Sequence, residues 1–139
     1  ATDAALAELK AFNDTEGTWD VVAPDAVTTL SRLRGAGCRT VVVSNSNGVL
    51  RRMFQRVGLA PYLDVVIDSS AVGARKPERR IYEVTQQRLG VAHEEIFFVD
   101  DIGQNLKAAR ALGWHTLLFT EERVVLPVLA KLRAARDDA

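Results

Sequence analysis

The sequence predicts an α/β fold, a parallel sheet flanked by helices. Three observations carry this. Short apolar runs recur at Val41–Val43, Val65–Ile67 and Ile96–Val99. Segments with apolar residues at helical spacing separate them. Glycines and prolines punctuate almost every passage between the two patterns, at Pro24, Gly35, Gly58, Pro77, Gly90 and Gly113. Strands that alternate with helices read as βαβ units and a doubly wound, parallel sheet. The chain has 139 residues, enough for one compact domain and not two.

Residues 2–12 carry Ala5, Leu6, Leu9 and Phe12 at helical spacing, with no evident partner in the core. A polar turn follows, Asn13 to Thr18. Pro24 opens a helix where proline is tolerated, and Gly35 and Gly37 end it. Cys38 to Val43 is the first expected strand, and the polar loop Ser44-Asn45-Ser46-Asn47-Gly48 leaves it. A helix over about 49–57 shows Leu50, Phe54 and Val57 and stops at Gly58. Asp64 to Asp68 is a second strand. Ser69 to Lys76 is expected to be a loop, with Pro77 at the start of a helix over 78–89. Ile96 to Asp100 is a strand expected to be buried on both faces. Gly103 leads to a helix with Leu106, Ala109 and Leu112, closed by Gly113. Trp114 to Phe119 is the last strand and residues 124–132 the last helix.

Composition narrows the function classes. Eighteen basic and eighteen acidic residues leave no formal net charge, which argues against a nucleic-acid or acidic-membrane binder. A single cysteine excludes an internal disulfide and fits a reducing, cytoplasmic setting. At the head of an apolar strand, Cys38 reads as a small buried thiol. No apolar run reaches membrane-spanning length and no signal-peptide pattern is visible.

Polar residues gather where strands give way to helices. Asp100 and Asp101 end the 96–100 strand, Ser44 and Asn45 end the 38–43 strand, and Lys76 closes the loop after the second. In open α/β sheets ligands bind outside the carboxyl ends of the strands. Adjacent carboxylates repel unless a cation or proton lies between them, and Mg²⁺ is the simplest resolution. Hydroxyl, ammonium and paired acid on one rim form a site constellation. The plainer alternatives are that Ser44 and Asp101 cap helices and that Lys76 is a solvated lysine.

In order and spacing, these segments resemble the haloacid dehalogenase-like (HAD) superfamily over roughly residues 19–132. Val41-Val42-Val43-Ser44-Asn45 is similar to its second motif and Lys76-Pro77 to its third. Phe97-Phe98-Val99-Asp100-Asp101, with Asn105 and 108–113, is similar to its fourth. The resemblance implies a three-layer, Rossmann-like HAD core. It also implies a small phosphorylated substrate and Mg²⁺-dependent phosphoryl hydrolysis. Ser44, with backbone N–H groups near Asn45, would then bind a phosphoryl oxygen. Lys76 would place a charge between nucleophile and substrate, and Asp100 and Asp101 would hold Mg²⁺. A metal-independent 2-haloacid dehalogenase is the alternative chemistry, although the dehalogenases so resembled carry small polar residues where Asp100 and Asp101 stand. A non-catalytic HAD-like domain acting through protein contacts is another alternative. A phosphoacceptor receiver domain uses similar groups in a different order.

The family's first motif, D-x-D-x-T/V on a central strand, has no counterpart here. The nearest string is Asp14-Thr15-Glu16-Gly17-Thr18, with Asp14 as a divergent nucleophile and Glu16 as acid and base. The spacing before it is helical, so residues 1–18 read instead as a remnant of a cap insertion and 19–139 as the core, without the nucleophile strand. Strands 39–44 and 96–100 would then have bare inner edges. These would close on each other or be filled by strand exchange with a second copy, and a homo-oligomer is expected. Mg²⁺ binding by Asp100 and Asp101 would be weak.

Overall fold

The computed structural model describes residues 26–119. The expected helices over 2–12 and 124–132, and the Asp14–Glu16 string, lie outside the described residues. The order of elements is α1 (Ala26–Gly35), β1 (Val41–Ser44), α2 (Leu50–Arg56), β2 (Val65–Asp68), α3 (Ser69–Val72), α4 (Arg79–Leu89), β3 (Phe97–Asp100), α5 (Gly103–Ala111) and β4 (His115–Leu118). Single 3₁₀ turns at Ala60–Tyr62 and His93–Glu95 precede β2 and β3. The chain divides into two compact units, one ending at Gly73 and the next beginning at Ala74.

In the first unit β1 and β2 pair in parallel, Val41 opposite Val65 through Ser44 opposite Asp68. The strand begins at Val41, three residues later than the sequence suggests, because Thr40 is engaged in a side-chain clamp. Its N–H donates to Asp64 Oδ2 at 2.7 Å and its hydroxyl donates to the Tyr62 carbonyl at 2.6 Å. The Thr40 carbonyl in turn accepts the Asp64 and Val65 N–H groups. Arg34 pairs with Asp64 at 3.3 Å and also donates to the Pro61 carbonyl. The Thr40 N–H bond is the main reason that the Asp64 carboxyl lies below its ordinary range. Cys38 therefore does not open a strand. It follows α1 in a turn, half-buried, its N–H bonded to the Leu33 carbonyl.

The stretch from Ser69 contains a helical turn rather than an open loop. Asp68, in extended conformation, caps it by accepting the Ser70 N–H, and Gly73 ends it with φ +69°. The Asp68 carboxylate offsets part of the cost of so short a turn, since nucleation fixes several torsions for one hydrogen bond.

In the second unit β3 and β4 pair in parallel, Phe97 opposite His115 through Asp100 opposite Leu118. Ile81, Tyr82, Thr85 and Leu89 line the buried side of α4; Leu106 and Ala109 do the same on α5. Tyr82, Phe98 and Trp114 meet edge to face in a closed trio, with ring centroids 5.3–5.9 Å apart. Such pairs are each worth about 0.5–1.5 kcal/mol beyond the area they bury. The expectation that β3 is buried on both faces does not hold. Phe98 and Asp100 are buried, whereas Val99, on the opposite face by the alternation of a strand, is 38% exposed. Residues of β1 are likewise only half-buried. Among the described residues each strand pairs on one side only, and the helices cover one face of β3 more fully than the other.

Candidate functional site

The carboxyl end of β3 holds a compact polar cluster. Lys76 Nζ lies 2.6 Å from Asp100 Oδ2, and the two side chains are 12% and 5% exposed. The Ile102 N–H donates to Asp100 Oδ1 at 2.8 Å. Asn105 Nδ2 lies 3.3 Å from both carboxylate oxygens. Lys76 Nζ also sits 5.6 Å from the centroid of Phe98, the next β3 residue on the Asp100 face.

Local sequence explains each placement. Asp100 is the last β3 residue, and its carboxylate takes the N–H of Ile102, which stands at the N-cap of α5. Asp101 is therefore not the cap; it is exposed. Asn105, in the first turn of α5, faces back to the strand end and is 3% exposed. Tyr82 Oη donates to the Asn105 carbonyl at 2.9 Å and so ties α5 to α4. Lys76 precedes Pro77 across a cis peptide bond. The turn around it is tied by the Glu78 N–H to the Arg75 carbonyl (2.7 Å) and by the Arg75 N–H to Glu78 Oε1 (3.3 Å).

Charge follows from this packing. Burial pushes the Asp100 carboxyl up. The Lys76 ammonium, the Ile102 N–H and the Asn105 amide outweigh it and hold the group below the ordinary carboxylate range. The Tyr82 phenol is pushed up to about 12, first by burial and then by the Asp100 charge.

The structure thus brings Lys76 and Asp100, two of the expected site residues, into contact. Asn105, absent from the expected site residues, joins them. Its signal was its position five residues after Asp100 on a helix starting at the strand end. In the first unit Ser44 ends β1 and Asn45 opens the loop after it, exposed. That loop is gripped by residues that sequence reasoning assigned to no site. Gly48 N–H donates to Asp68 Oδ2 at 3.0 Å, and Ser46 exchanges hydrogen bonds with the Ser69 hydroxyl at 2.9 and 3.1 Å. The Asp-Ser-Ser string at the end of β2 was the available sign, as a helix-capping pattern.

Mg²⁺ wants near-octahedral oxygen coordination. Both Asp100 oxygens already accept hydrogen bonds from the chain. Among the described residues no three His, Cys, Asp or Glu side chains cluster to hold a metal. Asp100 and Asp101 have the right donor chemistry, but with this geometry they do not by themselves fit a Mg²⁺ site. Among the described residues no helix is long and apolar enough to cross a membrane.

Each unit is built on a parallel strand pair, and in the second a lysine-paired aspartate stands at the carboxyl end of β3. The chain belongs to the haloacid dehalogenase-like hydrolase family, whose model matches residues 2–113. It is 36% identical over 95 residues to (S)-2-haloacid dehalogenase 1 of Pseudomonas sp. strain CBS-3, covering 68% of this chain and 42% of that protein. It is 33% identical over 97 residues to a Mycobacterium tuberculosis phosphatase, covering 68% of this chain and 45% of that protein. The crystal structure of a HAD phosphatase from Thermococcus onnurineus superposes with a TM-score of 0.68 at 33% identity, over 73% of this chain and 48% of that one. The chain spans less than half the length of each of these relatives.

Proposed function

We propose that the protein to which this chain belongs hydrolyses phosphoryl esters of small molecules. The observation that carries this is the Lys76–Asp100 contact, 2.6 Å long, between two largely buried side chains at the carboxyl end of β3. An ammonium fixed in place by a carboxylate is a preorganised positive charge, and such charge is most effective where water is excluded. A phosphoryl group develops and redistributes negative charge as it transfers, so a fixed cation stabilises that step. Asn105 and the Ile102 N–H keep Asp100 ionised and aimed, and through it they keep Lys76 placed. The likeness of Val41-Val42-Val43-Ser44-Asn45 to the family's second motif is what assigns Ser44 and the backbone near Asn45 to the phosphoryl oxygens. The attacking carboxylate is assigned to a residue beyond those described, because no D-x-D string occurs in the sequence. A Mg²⁺ requirement in this reading needs oxygen ligands additional to Asp100 and Asp101.

Carbon–halogen hydrolysis is the second reading. It is favoured by the haloacid dehalogenase among the relatives. One experiment separates the two. The intact protein is assayed for phosphate release from a panel of small phosphate monoesters and for halide release from 2-chloropropionate. Phosphate release that falls at least about a hundredfold in Lys76→Met supports the proposal. Halide release without phosphate release overturns it.

A further inference from the structure

We infer that Asp68 and Ser69 are positioning residues for the Ser44–Gly48 loop, setting the backbone that meets the substrate's anionic group; this rests on the phosphoryl reading above. The carboxylate of Asp68 is buried, with the residue 6% exposed. It spans two segments: Oδ2 accepts the Gly48 N–H, while Oδ1 accepts the Ser70 N–H at 3.0 Å and the Ser70 hydroxyl at 2.8 Å. The Ser69 hydroxyl accepts the Ser46 N–H and donates to the Ser46 carbonyl, as an opposing strand would. The β1–β2 ladder ends at Ser44 opposite Asp68. These two side chains thus extend the grip on the chain for four residues past the last strand pair. Gly48 fits the arrangement: its φ is +95°, and a Cβ there would sit 3.3 Å from the Ser70 hydroxyl oxygen. A loop held by a buried carboxylate keeps its N–H groups aimed before substrate arrives, which is what oriented binding of a transferring group needs.

The test uses amide exchange in this chain and steady-state kinetics in the intact protein, on Asp68→Asn, Asp68→Ala and Ser69→Ala, with Ser69→Thr as the conservative rescue. Asp64→Ala is the control, since it removes a carboxylate from the other end of the same strand pair. Asp68→Ala is expected to speed exchange at Gly48 by at least about tenfold, the loss of one charge-assisted hydrogen bond. Ser69→Ala should do the same at Ser46, and Ser69→Thr should restore it. In the intact protein Asp68→Ala should lower kcat about tenfold with KM little changed, while Asp64→Ala lowers the melting temperature and leaves kcat alone. Unchanged exchange at Ser46 and Gly48 overturns the inference, as does faster exchange with kcat unaltered. If the intact wild type releases no phosphate from any ester, the phosphoryl reading fails. Exchange at Ser46 and Gly48 then decides the latch by itself, faster exchange supporting it and unchanged exchange overturning it.

Discussion

Replacing Lys76 by methionine removes the ammonium while keeping most of the side-chain volume. Asp100 would be left 8% exposed with its carboxylate charged. Breaking a buried pair from one side costs about 3–5 kcal/mol. Asp100 keeps the Ile102 N–H and the Asn105 amide, which places the expected loss near the lower bound, about 3 kcal/mol. The loss should depend on pH in a definite direction. In the wild type the folded carboxyl lies below its unfolded value. The pair's contribution is therefore complete above the unfolded value of about 3.9 and is lost as pH falls through the lowered folded value. In Lys76→Met burial is opposed by fewer groups, so Asp100 titrates at higher pH than before. The stability gap between the two proteins should be widest from near neutral pH upward and close towards acid. Urea unfolding of both proteins across that range measures the gap, and carbon-13 NMR of the Asp100 carboxyl follows the titration. A gap below about 0.5 kcal/mol at every pH, the size of an exposed pair, would refute the view that this contact is desolvated and preorganised.

Three further outcomes are expected. His93→Ala strips the Trp114 indole N–H, 2.9 Å from His93 Nδ1, of its acceptor; the cost should be about 1–3 kcal/mol, read by thermal unfolding with tryptophan emission. Ultraviolet titration should show Tyr82 ionising only near pH 12, and Tyr82→Phe should cost about 1 kcal/mol by losing the bond to the Asn105 carbonyl. This 139-residue chain alone should release no phosphate from an aryl phosphate; turnover abolished by Asp14→Asn would place the nucleophile at Asp14 instead.

The strand cores and the Lys76–Asp100 cluster were legible because they rest on local signals. Three-residue apolar runs, glycine stops and polar strand ends survive reading one residue at a time. What escaped depended on partners distant in sequence. Thr40 looks like part of an apolar run until Asp64 and Tyr62 claim it. Ser69 to Val72 carries no helical periodicity; the turn is set by the Asp68 carboxylate at its start and the left-handed Gly73 at its end. Val99 matches its neighbours in hydrophobicity, but which face a helix covers is decided by α4 and α5. Asn105 is an ordinary polar helix residue until the strand end is set beside it.

The clamp at Thr40 and Asp64 and the latch at Gly48 and Asp68 together have a consequence for how the first unit assembles. The facing segments are Val-Val-Val and Val-Val-Ile, nearly homopolymeric. Slippage is ordinarily punished because one residue's shift turns an apolar face towards water. Here a slipped pairing would bury almost the same hydrocarbon, so hydrophobicity alone barely discriminates among alignments. Three residues lie between Asp64 and Asp68, and the two carboxylates engage both the start of β1 and the loop beyond its end. A shift by one place, or by two, forfeits both attachments at once. The two carboxylates work as gauge marks on an otherwise ungraduated ruler: misaligned forms lack fixed ends, and the aligned one is selected by polar contacts outside the sheet it aligns.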